Sequence, residues 1–235
     1  MNVRSLELKN ISLSFGTNEI FSDMSFTLEP GIYVLRGPSG CGKTTLMRMI
    51  TSLEPRYTGT ISLSYIDDKY GVNPFGIEKS VMLGRKPSPI VHMVHQHYTS
   101  FPWASCLDNV LKVYQGHNVR PNAKDREEAM EFLEKLKIGE HAKKRPSQIS
   151  GGQDQRLSLA SAFMNKWSSV FLYDEPTSAL DDLNDMIVVG LIREHQRRYG
   201  TIEIITTHED HVVQGLEGTI IELTPEFRIR KKEAA

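Results

Sequence analysis

Apolar and polar positions alternate over the first part of the chain. Leu6 and Leu8 are followed by Ile11, Leu13 and Phe15, and then by Met24, Phe26 and Leu28. Side chains of an extended chain point to opposite faces in turn, so these runs predict short strands with one buried face. Gly16-Thr17-Asn18 and Pro30-Gly31 separate them as turns, and residues 3–35 read as an antiparallel hairpin region. Ile32–Arg36 is continuously and mostly apolar, as in a buried strand, and Thr44–Leu53 carries a helical pattern. The glycine-rich stretch between them therefore joins a strand to a helix.

Further along, Thr60–Leu63 and Ile90–Val94 look like strands, and residues 67–88, rich in Gly, Pro and Asp, read as mostly loop. From Leu107 to Leu136 the pattern is helical, with Ala129, Phe132, Leu133 and Leu136 on one face. Ser150–Asn165 is helical after its glycines, Ser168–Tyr173 is a buried strand, Leu183–Tyr199 is helical and Thr201–Thr206 is another strand. The closing RIRKKEAA reads as a polar tail. Alternating strands and helices predict an α/β fold with a mostly parallel sheet, together with an antiparallel β subdomain and a helical subdomain.

Composition narrows the class. With 235 residues, 39% hydrophobic and 24% charged, the chain is expected to be one soluble globular domain, not a rod, a collagen or a disordered polymer. A formal net charge of -1 lacks the basic field that drives nucleic-acid binding, so no direct nucleic-acid partner is expected. No run approaches the ~20 apolar residues that span a bilayer, and the N-terminus lacks the apolar core of a signal peptide. Membrane association is then expected only through a partner. Of the two cysteines, Cys41 lies inside a glycine-rich loop, which fits reducing, cytoplasmic surroundings.

That loop, Gly37-Pro38-Ser39-Gly40-Cys41-Gly42-Lys43-Thr44, fits G-x-x-x-x-G-K-[ST] in the required strand-to-helix setting. Its glycines let backbone N–H groups curl toward an anion, the following helix adds partial positive charge, and Lys43 adds a full one. Thr44 can place its hydroxyl on Mg²⁺. The loop alone says phosphate-binding NTPase, which includes kinases and GTPases. A buried strand ending in Asp174-Glu175 adds two carboxylates with different tasks: Asp174 near the metal, Glu175 polarising a water for attack on the γ-phosphate. In ISGGQDQR, residues 149–156, a serine and two glycines open a helix, which is either a second anion-binding terminus or an ordinary N-cap.

Taken together, GPSGCGKT, the glutamine of HMVHQHYTSFPW, ISGGQDQR, FLYDEPTSALD and ITTHE resemble the ordered motif set of an ABC-type ATPase, specifically the separate nucleotide-binding subunit of a membrane transporter. The resemblance spans nearly the whole chain. It implies a P-loop NTPase core over 1–97 and 151–235 with an inserted helical subdomain at about 98–150. It also implies ATP and Mg²⁺ as ligands, with Thr44, Gln96 and Asp174 at the metal.

The family's head-to-tail dimer would bring Ser150, Gly151, Gly152 and Gln153 to the ATP held by the partner's loop, with Thr45 following that loop. By the same resemblance Gln96 is the Q-loop glutamine, Asp181 the D-loop aspartate at the dimer interface, and His208 the switch histidine acting with Glu175. Phe15 is the aromatic that stacks on adenine, although strand core is an alternative reading. His92, His95 and His97 suggest zinc at first sight, but a strand sends position 92 to the opposite face from 95 and 97.

PTSALD and FPWASCLDNV resemble importer-type subunits for nitrate, sulfonate and amino-acid uptake. The expected partners are a second copy of the chain and separate transmembrane permease subunits, met near Gln96, Phe101 and Trp103 on the inner face of the cell membrane. The chain departs from the family pattern at Asp154, Ser161, Glu209 and the long 67–88 stretch. A soluble switch or remodelling ATPase is the alternative; a P-loop kinase leaves ISGGQ unexplained.

Overall fold

The computed structural model describes residues 2–67, 77–84, 86, 88–95, 100–178, 180, 182–224 and 229–233. The chain opens with β1 (Asn2–Phe15), β2 (Asn18–Leu28) and β3 (Gly31–Arg36), then helix α1 (Lys43–Ile50). Strands β4 (Thr58–Asp67), β5 (Ile77–Leu83) and β6 (Val91–Val94) follow, before helices α2 (Cys106–Gly116), α3 (Ala123–Lys135) and α4 (Gly151–Phe163). The last part alternates: β7 (Val170–Asp174), α5 (Asp182–Tyr199), β8 (Ile202–Thr206), α6 (Asp210–Leu216), β9 (Thr219–Leu223) and β10 (Ile229–Glu233).

Two sheets result. One is antiparallel in the order β2-β1-β4-β5; the other runs β10-β9-β3-β8-β7-β6, parallel except for β10 against β9. The period-two face of β1 is buried as its sequence requires: Leu6, Leu8, Ile11 and Leu13 are all essentially inaccessible. The odd step from Leu8 to Ile11 is absorbed by a register irregularity at Asn10, whose φ is 52°.

The inner strands β7 and β8 of the six-stranded sheet are buried on both faces, which is why they read as apolar runs. Val170 and Leu172 of β7, with Leu35 and Ile204, pack toward α1 and the antiparallel sheet, where Leu46, Met47, Met49 and Ile50 of α1 are buried. Phe171 and Tyr173, with Val34 and Ile205, pack toward α2, α4, α5 and α6. Glu203 breaks the apolar run of β8 and is fully buried, but its Oε1 meets His195 Nδ1 at 2.9 Å, which offsets part of the desolvation.

The structure differs from the sequence expectations in three places. The 67–88 stretch, expected to be mostly loop, contains a strand: β5 runs in register with β4 from Ile61 opposite Leu83 to Asp67 opposite Ile77, while 68–76, 85 and 87 lie outside the described residues. Its polar members lowered the strand signal, yet an edge strand needs little apolar content because it is paired on one side only. The polar tail contains β10, paired with β9 from Ile229 opposite Leu223 to Glu233 opposite Thr219. The helical run 107–136 is two helices, with α3 starting anew after Pro121 through an Asn122–Asp125 capping box.

Candidate active site

The parallel register decides where the site lies. Leu35 is opposite Thr206, and Asp174 is also opposite Thr206, so the loops leaving the C-terminal ends of β3, β7 and β8 emerge side by side. That edge is where open α/β sheets bind ligands.

The first of these loops is GPSGCGKT. Gly37, Gly40 and Gly42 have φ of 156°, 79° and 97°, a backbone that L side chains rarely adopt. A Cβ on Gly37 would lie 2.6 Å from Cys41 Sγ, and one on Gly42 would lie 2.7 Å from Phe21 Cζ, so the loop cannot close with larger residues. Lys43 Nζ folds back across it, donating to Gly37 O at 2.8 Å and Pro38 O at 3.1 Å. Pro38, Ser39 and Gly40 are exposed, with Cys41, Lys43, Thr44 and Thr45 partly so.

The carboxylates sit beside this loop. Asp174 Oδ1 accepts hydrogen bonds from Thr44 Oγ1 at 3.2 Å and from Thr206 Oγ1 at 2.9 Å. Thr206 Oγ1 in turn accepts from the Glu175 N–H at 2.9 Å. Glu175 itself has φ of 51°, a left-handed conformation unusual for a non-glycine residue and typical of strained functional positions. Gln155 Nε2 and Ser178 Oγ both donate to its carbonyl, at 3.0 and 3.1 Å. Across the gap His208 Nε2 stands 3.6 Å from Glu175 Oε1.

Thus the structure joins Lys43, Thr44, Asp174, Glu175 and His208, far apart in sequence, into one polar cluster. Thr206 and Gln155 belong to it and were not singled out from sequence. The signal for Thr206 was its place at the end of an apolar strand, two residues before His208; for Gln155 nothing distinguished it from its neighbours. Gln96 and Asp181 lie outside the described residues.

Phe15 ends β1 and is 38% exposed, outside the buried core of the antiparallel sheet. The Arg56 guanidinium lies 5.1 Å from its centroid. Glu54 holds that guanidinium, accepting from Nε at 2.9 Å and Nη2 at 2.7 Å, and the Arg56 hydrogen bond brings the Glu54 carboxyl down to about 2. A folded pKa below the unfolded value gives stability that is present above about 4.5 and lost as pH falls toward 2. Glu54→Gln is expected to lower the urea midpoint at pH 7, with the gap to wild type closing through that window; equal midpoints at pH 7 would contradict the pairing.

Ser150 caps α4, its Oγ accepting from Gln153 N at 3.3 Å while Gln153 Oε1 accepts from Ser150 N at 2.8 Å. Ser150 and Gly151 face solvent, with Gly152 partly covered. Of the three histidines considered for zinc, His92 packs on Phe171 at 5.7 Å with Asn165 Nδ2 3.2 Å from its Nδ1, and burial pushes it down to about 4. Burial also lowers His95, opposed by the nearby Asp174. His97 is outside the described residues.

Phe101 and Trp103, the latter 66% exposed, pair at 5.3 Å on the surface. The loop bearing them is stapled by buried Asn109, whose Oδ1 accepts from Phe101 N at 2.7 Å and whose Nδ2 donates to Phe101 O at 3.1 Å. Beside it a groove of about 350 Å³ opens between β6, α2 and α4, lined by Phe101, Lys112, Val113, His117, Ser158 and Ser161. Lys143, Lys144 and Arg145 are solvent-exposed.

Known proteins give the comparison. Residues 21–178 match the family described as ABC transporter. The arginine transport ATP-binding protein ArtP of Haemophilus influenzae is 32% identical over 92% of this chain and 87% of its own. The glutamate/aspartate import ATP-binding protein GltL of Escherichia coli K12 is 34% identical over 94% of this chain and 90% of its own. Among solved structures, the dimeric bacterial ABC transporter cassette MJ0796 superposes with a TM-score of 0.75 at 23% identity, covering 98% of this chain and 99% of that one, a likeness of fold. With this P-loop edge, these carboxylates and a family match covering most of its length, the chain belongs to the ABC transporter family, as its ATPase domain.

Proposed function

We propose that this chain is the ATP-binding and ATP-hydrolysing subunit of an importer. The observation that carries the reading is the convergence of Thr44 and Thr206 on Asp174, with Glu175 held next to it in a left-handed turn facing His208. The two relatives, an arginine transport and a glutamate/aspartate import ATP-binding protein, favour a transporter subunit over a free-standing switch ATPase. Residues 1–97 and 151–235 form the nucleotide-binding core in this reading, and about 98–150 the helical subdomain.

The residues fit the reaction. The exposed P-loop amides and Lys43 bind the β- and γ-phosphates, and Phe15 with Arg56 offers a face to the adenine. Thr44 and Asp174, whose oxygens are 3.2 Å apart, would hold Mg²⁺ together with Gln96; when bound, the ion neutralises phosphate charge. The Glu175 carboxylate takes a proton from water as the water oxygen bonds to the γ-phosphorus and the bond to the ADP oxygen breaks. His208 orients that water.

Exposed Ser150 and Gly151, with Gly152, Gln153 and Asp181, complete the site of a second, head-to-tail copy. The stapled Phe101–Trp103 pair and the adjoining groove receive the permease, which places the chain on the cytoplasmic side of the membrane; no helix among the described residues is long and apolar enough to cross one. Affinity purification of the tagged chain from detergent-solubilised native membranes is expected to recover a polytopic membrane protein, and Trp103→Ala to reduce that recovery several-fold. Recovery of soluble partners alone would overturn the transporter reading.

A further inference from the structure

A second polar cluster lies outside the residues assigned to hydrolysis. Asp185, on the first turns of α5, is 2% exposed, and its Oδ2 is 3.1 Å from His211 Nε2. Its other oxygen, Oδ1, is sealed from water with no hydrogen-bond partner. His211 Nε2 stands 3.8 Å from Glu209 Oε2, and that oxygen accepts from Thr177 Oγ1 at 3.2 Å. One ligand atom from each of the three residues lies within 4.8 Å of the others.

The frame around these atoms is rigid. Arg193 of α5 donates from Nη1 to Gly215 O of α6 at 3.0 Å and from Nη2 to Glu217 at 2.6 Å. The two helices approach so closely at Gly215 that a Cβ there would meet Met186 Cε at 3.0 Å and Val189 Cγ1 at 3.1 Å. The helix carrying Asp185 is therefore packed firmly against the one carrying His211.

A protonated His211 bridging the two acids would leave the triad with net negative charge. A divalent cation held by one oxygen of each carboxylate and by His211 Nε2 would offset that charge. Two oxygens and one imidazole nitrogen suit Zn²⁺ and its first-row neighbours. A tetrahedral ion with bonds near 2.0 Å holds its ligand atoms about 3.3 Å apart, between the observed 3.1 and 3.8 Å. The His211 side chain is 41% exposed, which leaves an entry path and room for water ligands.

We propose that Asp185, Glu209 and His211 form a binding site for Zn²⁺ or a similar divalent transition-metal ion. Glu209 directly follows His208, so an ion here ties the segment bearing His208 to α5. The site does not depend on nucleotide binding, and its test uses none.

The full chain, purified without a histidine tag and treated with chelator, is titrated with Zn²⁺ by calorimetry and with Co²⁺ by visible absorption. One equivalent is expected at micromolar or tighter affinity, with the intense Co²⁺ bands of a four-coordinate site. His211→Gln, a change at a partly exposed position, and Asp185→Asn are each expected to weaken binding at least tenfold. Zn²⁺ is expected to raise the melting temperature of wild type and not that of His211→Gln, a readout that stands if Asp185→Asn fails to fold. Absence of stoichiometric binding, or binding and thermal shift unchanged in His211→Gln, would overturn the site.

Discussion

Glu175→Gln is expected to lower ATP turnover by about 10²- to 10⁴-fold, the usual cost of losing a general base, while ATP still binds. Glutamine keeps the size of the side chain and loses only its ability to take a proton. The contacts that set the backbone of this residue are untouched, since Thr206 Oγ1 accepts from its N–H and Gln155 and Ser178 donate to its carbonyl. The left-handed φ of 51° is no worse for Gln than for Glu. The variant should consequently fold, bind nucleotide and accumulate in an ATP-bound dimer, seen as a concentration-dependent mass increase on addition of ATP in light scattering. Wild-type turnover in a single-turnover assay would sink the proposed role of Glu175.

Lys43→Ala should act earlier, on binding. Loss of one charge-assisted hydrogen bond of about 1.5–3 kcal/mol corresponds to roughly 10- to 100-fold in ATP affinity. The fold should survive, because Lys43 opens α1 at a partly exposed position where alanine is a good helix former. Its present partners, Gly37 O and Pro38 O, stay within reach of solvent when the ammonium is removed. Equilibrium titration with a fluorescent ATP analogue reads the change; unaltered affinity would refute the phosphate-loop reading. The two variants separate the steps, one expected to bind without turning over and the other not to bind well.

Much of this was legible in the sequence because it is local chemistry. GPSGCGKT needs no tertiary information, since its glycines, lysine and threonine are consecutive and their strand-to-helix setting follows from the adjacent apolar patterns. The period-two face of β1 and the apolar runs of β7 and β8 predicted their own burial. Segments whose stability comes from pairing were harder to see. β5 and β10 carry mixed polar sequences and exist as strands because β4 and β9 offer them a ladder.

The site divides in the same way. The residue types of the phosphate loop, Asp174-Glu175 and His208 could be named from the chain alone. That Thr206 would join Thr44 on one oxygen of Asp174 depended on the parallel register of β7 and β8. The left-handed backbone of Glu175, the Arg56 guanidinium over Phe15 and the meeting of Asp185 with Glu209 and His211 were likewise invisible beforehand. The sequence by itself determined which groups could bind phosphate and move a proton, because those properties belong to individual side chains and short loops. Only the tertiary structure decided which groups meet and which carboxylate oxygen is left without a partner, because distance and desolvation are set by packing between segments remote in the chain.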